Sequence, residues 1–272
     1  MICACICVGA GLHTLHSLNI QNTQQEKPEI HTTSFSEKHP VADNTSVNID
    51  NISGSVIVHP SQDNSIHMTV TKKGTSQEHK ATSCITSYDC HLKRFCIKTT
   101  AQSHPCNVTY DVYIPLSSTC SITQQSGSVS ASSIQKKIDI TLNSGSISAN
   151  NTTGGITTLQ SNGSLDLCNI HGSVTIRNNN GSVTLCQKEL SHTDSIHINQ
   201  KNGSTQLYLD TNIHADITAE TTNGSISSSA PIKTETKYKK GYTGQVFNGY
   251  IGSKKHTISL ESINGSISLS TY

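Results

Sequence analysis

From Val41 onward, apolar and polar positions alternate with a period of two. Val47 and Ile49 are separated by a polar residue, Val56 and Val58 follow Gly54, and Ile66, Met68 and Val70 come next. Such alternation predicts strands with one face buried and one in water. The rhythm breaks over Thr71–Cys106, which carries Cys84, Cys90, Cys96 and Cys106 together with Lys72, Lys73, Lys80, Lys93 and Arg94. This stretch reads as an irregular strand pair or a loop insertion, held by disulfides. Strand character returns at Val108–Leu116, where Val108, Tyr110, Val112 and Ile114 share one face. No stretch has helical periodicity of useful length. Asn19–Pro40 is polar, contains two prolines, and reads as a linker.

A repeat then becomes explicit. Gly127, Gly145, Gly163 and Gly181 recur every 18 residues, each followed by Ser and an alternating strand, as in Ser146-Ile147-Ser148-Ala149 and Ser182-Val183-Thr184-Leu185. Gly154 and Gly172 form a second series midway between them. Gly203 and Gly224 follow at longer intervals, and Gly265 closes the set. The pattern predicts an all-β fold, a β-solenoid (β-helix or β-roll-like) of stacked short strands with Asn-Gly-Ser turns, at about 18–22 residues per coil. Successive coils stack at about 4.8 Å in parallel pairing, with aliphatic residues inward and Ser, Thr, Asn and Asp outward. Glycine supplies the positive φ of the turn. The matching Asn162, Asn180, Asn202, Asn223 and Asn264 predict an amide ladder along the stack. Residues 41–272 therefore read as one solenoid domain with a Cys-bearing insertion at 71–106, after a linker at 19–40 and a signal or anchor segment at 1–18.

Composition fits a narrow core. Of 272 residues, 33% are hydrophobic and 4% aromatic, with no Trp, yet only 14% are charged, which separates the chain from disordered sequences. A net charge of +1 gives no field for nucleic acid. Ten Cys without a C-x-x-C pair point to an oxidising compartment. Ile2–Leu12 has the length of a signal-peptide core and is too short to span a bilayer as a helix. The expected location is secreted, periplasmic or attached to the cell surface, with no transmembrane helix beyond that N-terminal segment.

Taken in order, several features resemble a known family. They are an N-x-x-G strand at Asn51–Val58, a strand ending Tyr113-Ile114-Pro115, and the N/S-G-S strand units from Gln125 to Leu209. The Gly-containing loop 241–252 and the closing Thr257–Leu269 complete them. Together they resemble the bacterial β-strand-repeat family of candidate adhesins, a domain of unknown function, over roughly Val47–Tyr272. The resemblance implies a β-solenoid and an envelope setting and brings no catalytic residues. The Cys-bearing insertion and Ser in place of the frequent Asp after Gly depart from that pattern.

Candidate chemistry is sparse. Cys168 and Cys186 lie one repeat apart at outward positions, so stacking would bring them within disulfide reach, a bond worth about 3 kcal/mol; two stacked thiols are the alternative. Cys84, Cys90, Cys96, Cys106 and Cys120 would make two disulfides with one left over. His79, His91 and His104 lie near, but the spacings match no common zinc module, and no metal or cofactor is assigned. His197 and His214 fall out of phase with the aliphatics and should face solvent. Lys237, Lys239, Lys240, Tyr242, Lys254 and Lys255 form a candidate binding loop for anionic glycans or lipid heads, or simply a solvated loop. Three functions follow. The first is a non-enzymatic surface adhesin-like protein whose polar strand faces bind a surface glycan or wall polymer. The second is an envelope stress sensor or scaffold that recruits a protein through a terminal edge. The third, a polysaccharide-degrading β-helix enzyme, needs clustered carboxylates that the regular repeats lack.

Overall fold

The computed structural model describes residues 31–74, 84–91, 93–101, 107–191, 193–241 and 243–272. Every regular element among them is a strand. In chain order they are β1 (His31–Pro40), β2 (Ser46–Ser61), β3 (Ser65–Gly74), β4 (Cys84–His91), β5 (Arg94–Ala101), β6 (Asn107–Pro115), β7 (Thr119–Ser132), β8 (Ile138–Thr152) and β9 (Ile156–His171). They continue as β10 (Val174–Glu189), β11 (Ser195–Asn202), β12 (Thr205–Leu209), β13 (Ala215–Asn223), β14 (Ile226–Ser228), β15 (Lys233–Lys240), β16 (Gly244–Ile251), β17 (His256–Asn264) and β18 (Ile267–Thr271). The expected segment at 1–18 lies outside the described residues.

The repeat produces the stack directly. β7, β8, β9 and β10 pair in parallel, and partners lie 18 residues apart: Ile122 with Ile140, Ile140 with Thr158, Thr158 with Ile176. Each long strand makes a whole level of a solenoid-like arrangement, bending at its Gly so that both halves turn aliphatics inward. One inward column runs Ile97, Ile49, Ile122, Ile140, Thr158, Ile176, Ile198, Leu260 and Ala219, all buried. Each of these contributes little alone. Continuous contact along the column gives the narrow core its stability.

The turn explains the glycine. Gly163 has φ +136°, and a Cβ placed there would overlap the Gly145 carbonyl oxygen of the preceding level. Gly145 relates to Gly127, and Gly181 to Gly163, in the same way. At the opposite corner the left-handed residues are Ser133, Asn151 and Asn169, with φ between 53° and 56°; asparagine tolerates that geometry.

Sequence order is not stack order. The levels succeed one another as β5 with β6, β2, β7, β8, β9, β10, β11 with β12, β17 with β18, and β13 with β14. The Gly265 copy, expected to close the series, therefore sits between the Gly203 and Gly224 copies. Parallel register and the matching Asn-Gly turn fix a level's neighbours, and chain distance does not. The detour leaves strands over to cover the ends. β16 pairs antiparallel with β13 and β15 with β16, while at the other end β3 covers β6, β1 covers β3 and β4 covers β5. In the terminal level, expected as a recruitment edge, β13 is thus paired on both sides, while β14 pairs with β18 alone.

One further expectation changes, and one pair of alternatives is decided. His31–Pro40, within the expected linker, forms β1, because backbone pairing with β3 over ten residues needs only one apolar side chain, Phe35, packed against the core. In the Cys-bearing stretch, β4 and β5 make a hairpin whose Phe95 and Ile97 enter the core. Cys120 is buried in the same column as Val47 and Ile138 and acts as an apolar residue. His79, His104 and Cys106 lie outside the described residues.

Candidate functional site

The second half of each level presents outward rows at about 4.8 Å steps. One row runs Ser130, Ser148, Asp166, Thr184, Gln206, Ser268 and Ser227 over seven successive levels. Beside it Ser55, Ser128, Ser146, Ser164 and Ser182 align, with Ser128 Oγ donating to Ser55 Oγ at 2.9 Å. At the turn, the amide ladder forms in stack order: Asn180 donates to Asn162 (2.9 Å), Asn202 to Asn180, Asn264 to Asn202 and Asn223 to Asn264 (each 2.8 Å). Each side-chain oxygen in these steps is the acceptor for the next amide, so the ladder polarises along its length.

Beneath that turn lies a device the sequence reading missed. Gln124, Gln160 and Gln200 point inward and are nearly fully buried. Gln160 Nε2 donates to Gly145 O at 2.8 Å and to Asn162 O, and Gln124 Nε2 serves Gly54 O and Ser126 O in the same way. Buried carbonyls at the bend need a donor, and the amide supplies it. The signal was available: each Gln stands three residues before a repeat Gly, at 127, 163 and 203.

The structure also brings together a Ser, a His and an Asp. His59 Nδ1 lies 3.1 Å from Ser132 Oγ and its Nε2 lies 3.5 Å from Asp111 Oδ1, with the ring stacked on Tyr113. The adjacent Ser133 N–H, which could otherwise face an oxyanion, donates to Asn150 O at 2.9 Å. Of the contacts among Ser132, His59 and Asp111, only the one between His59 and Ser132 is a hydrogen bond, joining neighbouring levels, while Asp111 Oδ1 is buried without a hydrogen-bond partner. Among the described residues, no group of three or more His, Cys, Asp or Glu is placed to hold a metal ion. No helix among them is long and apolar enough to cross a membrane.

Cys168 and Cys186 are free thiols, and both are partly buried. A register shift follows Leu185, so the two are not direct Cα partners, although their side chains interact. Burial first, then the Cys186 thiol and the Asp166 carboxylate, push the Cys168 thiol up to about 12.

The basic residues do not form one loop. Lys233–Lys240 is the outer edge strand β15, where Lys237 Nζ donates to Ile226 O at 3.2 Å. Lys254 meets Glu235 at 2.6 Å and Asp216 at 3.6 Å and lies over the Tyr250 ring; its bond to Glu235 raises it above the usual ammonium value. Lys239 and Lys240 continue along β15, Tyr242 lies outside the described residues, and Lys255 turns to a different feature. That feature is a recess of about 460 Å³ at the corner between levels, which also takes in His214 and His256. His197 and His214 are exposed, as their phase predicts.

The Toastrack DUF4097 family matches residues 16–270. Among solved structures, similarity extends to a candidate cell adhesion protein of Clostridium sporogenes ATCC 15579, at 13% identity over 90% of this chain and 100% of that chain, with a TM-score of 0.35. Candidate adhesins of Bacteroides fragilis NCTC 9343 and Parabacteroides merdae ATCC 43184 show 11% and 10% identity. Each covers 88% of this chain, and 97% and 96% of their own, with TM-scores of 0.27 and 0.22. No curated protein matches.

Proposed function

The chain belongs to the Toastrack DUF4097 family, and on that footing we propose that it is a non-enzymatic envelope protein, exposed at the cell surface, whose polar strand faces hold a surface glycan or wall polymer. The observation that carries this reading is the outward row from Ser130 to Ser227, polar at seven successive levels and flanked by the serine row. Hydroxyls and amides repeated at a fixed step on a rigid sheet suit a polymer that repeats along its length, where many weak bonds act together. Sheet stacking keeps those groups in place without a ligand, so little order has to be created on binding. The adhesin descriptions of the similar solved proteins agree with this setting. In an oxidising compartment Cys168 and Cys186 would close into a disulfide across neighbouring levels.

Protease shaving of intact cells, with a C-terminal tag as the readout, tests the placement. Loss of the tag while a cytosolic control survives is the expected result. Protection until the envelope is opened would overturn surface adhesion and favour the internal sensor or scaffold. Retention of the purified chain on insoluble wall polysaccharide tests the binding.

A further inference from the structure

Inserting the β17/β18 level between two others forces the chain to cross one corner repeatedly. Leu190, the connection 210–214 and Lys255 meet there, and the recess of about 460 Å³ opens between them. That size lies in the range of small-molecule sites.

The two carboxylates of the recess are already satisfied. Asp210, 7% exposed, receives Lys188 Nζ at 2.6 Å and the Asn212 N–H at 3.0 Å, and Lys188 above all holds it below the usual carboxylate range. Glu189 Oε2 lies 3.4 Å from His171 Nδ1. Lys255, exposed on the rim, has no carboxylate partner among the described residues. The two remaining imidazoles have opposite roles. His214 Nδ1 accepts the Ser253 N–H at 2.9 Å, so the neutral ring carries its proton on Nε2 and donates there. His256 Nδ1 lies 3.3 Å from Asp194 O, which can only accept, so that nitrogen carries the proton and Nε2 accepts. Leu190 and Ile213 supply apolar wall.

An unpaired ammonium, one donor, one acceptor and a patch of aliphatic surface match a ring that bears a carboxylate, hydroxyls and a C–H face. We propose that this recess binds a carboxylated sugar, the uronic-acid type of unit, in the polymer that the outer faces contact. The proposal rests on the surface-binding reading and names its ligand chemistry. The carboxylate would meet Lys255, and ring hydroxyls would bridge His214 and His256.

The test is calorimetric titration of the full chain with D-glucuronate, D-glucose and acetate, in parallel with retention on insoluble wall polysaccharide. Glucuronate should bind at least about tenfold more tightly than either control, and Lys255→Gln should weaken it by about tenfold without moving the melting curve. Equal binding of glucose would remove the role of the charge, and equal binding of acetate the role of the sugar; either overturns the proposal, as does wild-type affinity in Lys255→Gln. Polysaccharide retention without glucuronate binding would sink the recess and spare the surface reading. Glucuronate binding without retention would do the reverse.

Discussion

The close approach of successive turns makes Gly163→Ala the sharpest test of the stack. The added Cβ would overlap the Gly145 carbonyl oxygen and stand 2.8 Å from both the Gly145 carbonyl carbon and Gln160 Nε2. Carbon atoms in contact prefer about 3.5–4.0 Å, so the level must open by roughly 0.7 Å or more at that point. Opening breaks the bond from Gln160 to Gly145 O and leaves a buried carbonyl bare, at about 1–3 kcal/mol. The backbone at φ +136° adds about 1–3 kcal/mol for any side chain. The sum, about 2–6 kcal/mol, is a large share of a domain's typical stability of about 5–15 kcal/mol. Gly241→Ala is the control. Gly241 also has positive φ, +63°, but nothing lies within 4 Å of its Cβ position, so only the left-handed strain of about 1–2 kcal/mol applies. Urea unfolding followed by far-UV circular dichroism reads both. Gly163→Ala should lower the midpoint by about twice the shift of Gly241→Ala or more, or fail to fold where the control folds. Equal shifts would show that the turns do not touch and that the glycines serve φ alone.

Two further outcomes follow from burial. Leu165 is 1% exposed while Asp166 faces outward. Leu165→Asp should cost about 4 kcal/mol or more and Asp166→Ser no more than about 0.5, with hydrogen exchange rising around β8–β10 in the first alone; equal melting shifts would refute the facing. Cys120 is buried, and desolvation pushes its thiol from 9.0 up to about 12. The unfolded chain therefore ionises first. The stabilisation is complete below about pH 9 and is lost as pH climbs towards about 12. Tyr110 adds a similar loss from about 10 to about 12. Cys120→Val should change stability little at neutral pH and flatten the alkaline fall in urea midpoints; an unchanged slope would place Cys120 in water.

Periodicity alone determined most of the stacked region. The 18-residue recurrence of Gly127, Gly145, Gly163 and Gly181 gave the level length, the alternation around them gave the inner and outer faces, and Asn162, Asn180 and Asn202 gave the ladder, because each of these depends on residues one repeat away. The buried glutamines were legible in principle, three residues before Gly127, Gly163 and Gly203, but a polar residue reads as outward unless the bare carbonyl it must serve is known. What only the tertiary structure decided is the order of the ends. Chain position puts the Gly265 copy last, whereas register puts β17 between β11 and β13. That one insertion leaves β15 and β16 to cover one end, scatters the basic residues that lie together in sequence, and gathers Lys188, Lys255, His214 and His256 from separate segments of the chain into one recess. Local pattern fixes how a level is built. Which levels meet depends on backbone pairing between segments far apart in the chain, and no short-range period encodes it.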